Sequence, residues 1–128
     1  MIFKLDNKSR EPMYEQLEKL IAKYISAGVL NEGDQLPSVR SMAQQLGINP
    51  NTVAKTYKIL ENEGIIYTIV GKGAFIAESS AAKSVIKKEY EAAFLSAAQN
   101  AKNMGFGEGE LISLIQKLYK SKGGNEDD

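Results

Sequence analysis

Asn51, Lys55, Lys58 and Asn62 recur at helical spacing along "GINPNTVAKTYKILENEG". Such spacing sets two amides and two ammonium groups on one ridge, with no carboxylate among them. Val53, Tyr57 and Leu60 fall on the opposite side as an apolar stripe, and Thr52 lies at the border. A ridge of this kind suits the major groove of duplex DNA. An Asn amide pairs bidentately with adenine, a Lys reaches guanine or phosphate, and a Thr offers a hydroxyl or a methyl. Residues at the start of a recognition helix reach base edges, so Asn51, Thr52 and Lys55 are stronger candidates for reading than Lys58 or Asn62. A solvated helix face favours the same residue types, so the ridge alone does not separate the two.

Asn49 and Pro50 precede the ridge. Asn49 is a candidate N-cap, and Pro50 then takes the first helical position, where a missing N–H costs nothing and φ is already set. Together they fix where the helix begins and so where Asn51 and Thr52 point. Asn49 is also placed to contact a base; its side chain cannot fully do both, and both roles stand open. Arg40 ends "SVR" at the start of the preceding helix, which in a helix-turn-helix crosses the DNA backbone. It can contact a phosphate or a base bidentately, or form an ion pair with a glutamate of its own chain. Ser38 and Ser41 can assist with phosphate, though capping explains Ser38 equally well. Gly71-Lys72-Gly73 lacks the strand–loop–helix setting and spacing of a phosphate loop. As a hairpin tip it uses glycine for positive φ and projects Lys72 towards the minor groove or adjacent phosphates.

Other chemistry finds little material. The chain has no histidine and no cysteine, which removes the commonest general base, the commonest metal ligand and any thiolate site. Its carboxylates show no spacing that argues for paired acid–base work, and no nucleophile elbow or dinucleotide fingerprint is present. The expectation is therefore no enzymatic activity, no cofactor and no metal. The N-terminal "MIFKLDNKSREP" has the pattern of neither a signal peptide nor a membrane span, and the lack of cysteine fits a reducing cytoplasm. Lys+Arg and Asp+Glu balance at 16 each, which taken alone counts against a nucleic-acid binder. Between Leu36 and Phe75, however, the bases Arg40, Lys55, Lys58 and Lys72 meet only Glu61 and Glu63.

The elements that must position these groups follow from periodicity. Met13, Leu17, Leu20, Ile21, Tyr24 and Ile25 form a helical stripe that starts after Pro12 and stops near Gly28. Gly33-Asp34 reads as a turn before a short connection. Val39, Met42, Ala43 and Leu46 give a second helix, capped by Ser38 and closed by Gly47, and a third begins after Ile48. "IIYTIVGKGAFIA" reads as a β-hairpin. Alanine-rich "ESSAAKSVIKKEYEAAFLSAAQNAKNM" and "ELISLIQKLYKSK" are two more helices, separated by "GFGEG". The fold class is thus mainly α with a β-hairpin: a winged helix-turn-helix over residues 1–78, a two-helix extension over 79–122 and a disordered tail over 123–128. At 128 residues this is one compact domain with an appendage. Ala93, Ala97 and Ala101 permit close helix approach, and Ile86, Tyr90, Phe94, Leu111, Leu114, Ile115 and Leu118 supply apolar flanks for a dimer seam. The alternative is that these helices pack back on their own domain.

The runs "GVLNEGDQLPSVR", "LGINPNTVAKTYKILENEGII" and "GKGAFI", in that order, resemble the winged helix-turn-helix of the GntR family of bacterial transcription regulators. The lead-in "LDNKSREPMYEQL" and the short two-helix end resemble the YtrA-like subfamily. The resemblance implies contacts to a double-stranded DNA operator by Arg40, by Asn49, Asn51, Thr52 and Lys55 at the recognition-helix start, and by the wing tip from Gly71 to Gly73. Some relatives carry arginines where this chain has Pro50 and Ala54, so their contacts do not transfer and the operator should differ. The resemblance further implies a homodimer through the C-terminal helices and repression, often near transporter genes. It assigns no small-molecule effector and no membrane partner. The rival reading is a winged-helix protein-interaction module that does not read DNA.

Overall fold

The structure, a computed structural model, describes residues 3–121. Its elements are α1 (Met13–Ser26), α2 (Val39–Leu46), α3 (Pro50–Asn62), β1 (Ile66–Ile69), β2 (Gly73–Ile76), α4 (Ser80–Asn103) and α5 (Glu108–Lys120). The order and the mainly α class with one hairpin are those expected. The segment expected as a tail, 123–128, and the last residue of the 79–122 region lie outside the described residues.

The chain divides into two compact units at Lys88 and Glu89, inside α4 rather than at the hairpin's end near residue 78. Packing explains where the first unit stops. Ala82 is fully buried in its core, and Ala81, Val85 and Ile86 pack half-buried against that core. Ile86, expected in a dimer seam, therefore has neighbours within its own chain.

In the first unit the predicted stripes point inward. Leu17, Ile21 and Ile25 of α1, Met42 and Ala43 of α2, and Val53, Tyr57 and Leu60 of α3 are buried, and Leu36, Ile65, Ile66 and Ile76 close the core. Thr56 is also fully buried, which the apolar pattern did not anticipate. Its hydroxyl donates to the Thr52 carbonyl at 2.9 Å, one turn back along α3, so the buried polar group is satisfied. Where α1 packs on α3, Glu18 and Glu63 share a side-chain hydrogen bond. Burial first, then that bond and the charges of Glu63 and Glu15, push the Glu18 carboxyl up to about 7.

The hairpin pairs Ile66 with Ile76 and Ile69 with Gly73 in antiparallel register. Residues 33–36 do more than turn. Gly33 N–H donates to the Ile76 carbonyl, Ile76 N–H to Asp34 and Leu36 N–H to Ala74, at 2.8, 2.8 and 2.9 Å, with a bridge between Gln35 and Phe75. The stretch read as a connection thus occupies the second edge of β2. Pro37, which has no N–H to offer, ends the pairing.

Candidate nucleic-acid interface

The start of α3 is set by two adjacent devices. Asn49 Oδ1 accepts from Asn51 N–H at 2.7 Å, and Pro50 occupies the first helical position. The capping expected of Asn49 is therefore present, and its amide Nδ2 stays free of that bond. Ser38 caps α2 in the same way, its Oγ accepting from Ser41 N–H at 3.0 Å, while Gly47 closes α2 with φ +67°. Gly47 and Asn49 thus bound the turn between α2 and α3 at its two ends.

Tyr57 fastens α3 to the entry of α2. Its hydroxyl donates to the Pro37 carbonyl at 2.7 Å, and burial pushes its pKa upward. Ser38 and Arg40 follow directly on that anchor. Both are exposed, and Arg40 forms no ion pair with a glutamate among the described residues.

Along α3, Asn51, Lys55, Lys58 and Asn62 are exposed and Thr52 is half-buried, which matches the helical ridge and its border. Lys55 is not without a partner. Its Nζ lies 4.0 Å from the ring centroid of Tyr14 in α1, a cation–π contact that a search for acids could not find. Tyr14 is the residue missed, and its place at the start of α1, which packs on α3, is the signal in retrospect.

The wing approaches the same face. Gly71 and Gly73 adopt φ of +80° and +126°, and exposed Lys72 sits between them. A groove of about 370 Å³ runs between α3 and the wing. Its walls include Ser38, Lys58, Glu61, Thr68, Lys72 and Gly73 over an apolar floor of Leu36, Pro37, Val39 and Ala54. The structure thus gathers Ser38, Lys58, Lys72 and Gly73 round one groove, with Asn51 and Thr52 earlier on the same helix. Glu61 on the wall is the single acid of that lining.

In the second unit, Phe94, Ala97 and Ala101 of α4 and Leu111, Leu114 and Ile115 of α5 line one shallow groove of about 190 Å³. No residue of α5 is buried, and Leu118 is 70% exposed. Tyr90 and Ala93 are likewise exposed on α4.

Residues 13–76 match the family model described as bacterial regulatory proteins, gntR family. The chain is 43% identical over 79 residues to the HTH-type transcriptional repressor YtrA of Bacillus subtilis (strain 168), covering 62% of this chain and 61% of that protein. It is 35% identical over 115 residues to the uncharacterized HTH-type transcriptional regulator YhcF of the same organism, covering 88% of this chain and 95% of YhcF. Among solved structures, a transcriptional regulator from Oenococcus oeni superposes with a TM-score of 0.75 at 33% identity, over 90% of this chain and 97% of that one. AraR(DBD) in complex with operator ORX1 matches with a TM-score of 0.54 at 25% identity, over 59% of this chain and 96% of that one.

Proposed function

This chain belongs to the gntR family of bacterial regulatory proteins, and from that membership we propose that it works as a homodimeric repressor of a pseudo-palindromic operator. As a regulator of this family it binds DNA through the winged helix-turn-helix. The observation that carries the proposal is the exposed Asn51–Lys55–Lys58 ridge of α3, whose Lys58 shares a groove with Ser38 and the Lys72 wing tip.

Asn51 and Thr52, at the helix start, are assigned to base edges in the major groove. Lys55 stays at the ridge but is held by Tyr14. Lys58, Arg40, Ser38 and the Gly71–Gly73 tip are assigned to the backbone, where phosphate contacts set orientation and make binding fall with salt. Asn49 is assigned to capping, because its Oδ1 is already engaged. The operator bound by AraR(DBD) and the repressor name of YtrA support this direction.

The dimer assignment rests on α4 and α5. The dimer reading is supported by a groove of alanines flanked by Phe94, Leu111, Leu114 and Ile115, with Tyr90 and Leu118 also exposed on the same two helices. A second copy supplies the cover, and two-fold symmetry then calls for half-sites about one helical turn apart, roughly 10 base pairs. No helix among the described residues is long and apolar enough to cross a membrane. The chain is assigned to the cytoplasm, with no catalytic step.

Selection of bound sites from a random duplex pool tests the reading. Enrichment of a two-fold symmetric motif is the expected result. Recovery of unenriched sequences, or no duplex binding even at low salt, would favour a protein-interaction module instead.

A further inference from the structure

Gln35 stands outside every role assigned so far, yet its side chain makes a contact that spans much of the first unit. Its Nε2 donates to the Lys72 carbonyl at 2.7 Å. The Lys72 N–H is engaged as well, donating to the Ile69 carbonyl at 2.9 Å. Both polar groups of the Lys72 peptide are therefore held, and with them the direction in which its side chain leaves the tip.

Two further observations show that this clasp is built rather than incidental. Gln35 is anchored through its own backbone, since it bridges Phe75 on β2 while Leu36 N–H bonds the Ala74 carbonyl next door. Gly73 leaves the space the amide needs, because a Cβ there would stand 2.7 Å from Gln35 Nε2. Glycine at 73 thus answers to the close approach of a side chain as well as to its φ of +126°. Gln35, Lys72 and Gly73 also share the groove that faces α3.

We infer that Gln35 is a positioning residue for the wing: it holds the Lys72 peptide so that the lysine is preset towards the DNA backbone. The inference rests on the DNA-binding reading above and adds to it a residue without contact to the nucleic acid. An exposed hydrogen bond of this kind contributes little to folding, but it narrows the orientations of a glycine-flanked tip, and preset contacts cost less ordering on binding.

The test uses the full chain and a short mixed-sequence duplex, with binding followed across a salt series. Gln35→Met keeps the side-chain length and removes the donor, and Lys72→Ala removes the contact itself. Each single variant is expected to flatten the salt slope by up to about one unit and to weaken binding at physiological salt about fivefold. The double variant is expected to behave like Lys72→Ala alone, because the clasp acts only through the lysine. Backbone relaxation in Gln35→Met is expected to show new mobility at residues 70–73 with an unchanged unfolding midpoint. An unchanged slope in either single variant, additive losses in the double variant, or a lowered midpoint for Gln35→Met would overturn the inference while leaving DNA binding intact. Absence of duplex binding by the unmodified chain would overturn the underlying reading and this inference with it.

Discussion

The hydroxyl of Tyr57, in the middle of α3, donates to the carbonyl of Pro37, just ahead of the α2 cap, at 2.7 Å. One bond thus couples the helix assigned to base reading with the turn that leads into Ser38 and Arg40. Tyr57→Phe leaves the ring in place and strips the Pro37 carbonyl of its donor in a part-buried position. The expected loss is about 1–2 kcal/mol, read as a lower urea midpoint at unchanged slope. A wild-type midpoint would mean that water replaces the hydroxyl without penalty.

Asn49 and Asn51 are separable by substitution. Asn51→Ala is expected to relax preference at one operator position by about 1–3 kcal/mol, measured by sequencing selected sites. Asn49→Ser preserves a capping oxygen, so it should leave both the selected sites and the stability close to wild type, whereas Asn49→Ala should cost ~1 kcal/mol of stability. A shifted base preference in Asn49→Ser would reassign that residue to reading.

Glu18 makes stability depend on pH. Its folded-state carboxyl is pushed up to about 7 from 4.5, by burial first and then by Glu63. Between those two values the folded state binds more protons than the unfolded chain, so stability falls as pH rises through the window and levels off above it. Glu18 is only half-buried, and solvent screening reduces the effect to on the order of 1 kcal/mol. Glu18→Gln keeps a donor for Glu63 and removes the charge. It should therefore stabilise the chain at about pH 8 and change nothing at about pH 4. Urea titrations that show the same difference at both pH values would discount the carboxyl pair.

Leu114 tests the second unit. It is 55% exposed and lines the α4–α5 groove. Leu114→Glu places a charge in the apolar groove of the proposed seam, where burying it would be costly. Sedimentation velocity is expected to show a monomer for this variant and a dimer for the unmodified chain. A dimer in both would place the interface elsewhere.

Much of this arrangement was legible in the sequence, for physical reasons that can be named. The stripes of α1, α2 and α3 repeat at the helical period, so their buried faces follow from spacing alone, as Leu17, Met42 and Val53 show. Ser38, Asn49, Pro50 and Gly47 are local signals, decided within a few residues of themselves. What escaped depends on residues distant in the chain. Tyr14 meets Lys55 only because α1 packs on α3. Gln35 meets Lys72 only because residues 33–36 lie along β2, a pairing too short to show a strand's alternation. Thr56 escaped because its burial is made tolerable by a bond to its own helix. Ile86 was grouped with the distal apolar residues by periodicity, although α4 begins against the first unit's core.

The pairing of residues 33–36 with β2 has a kinetic meaning. It closes a loop that contains all of α2, α3 and β1, whereas the contacts between α2 and α3 are close in sequence. Closing that loop loses chain entropy before the long-range bonds repay it, so register in the hairpin should be set after the helices inside the loop have docked. Pulse-labelled amide exchange during refolding should then protect Val53 and Leu60 before Leu36 and Ile76. Under this order, a chain newly emerging from the unfolded state holds its reading helix before it holds its wing.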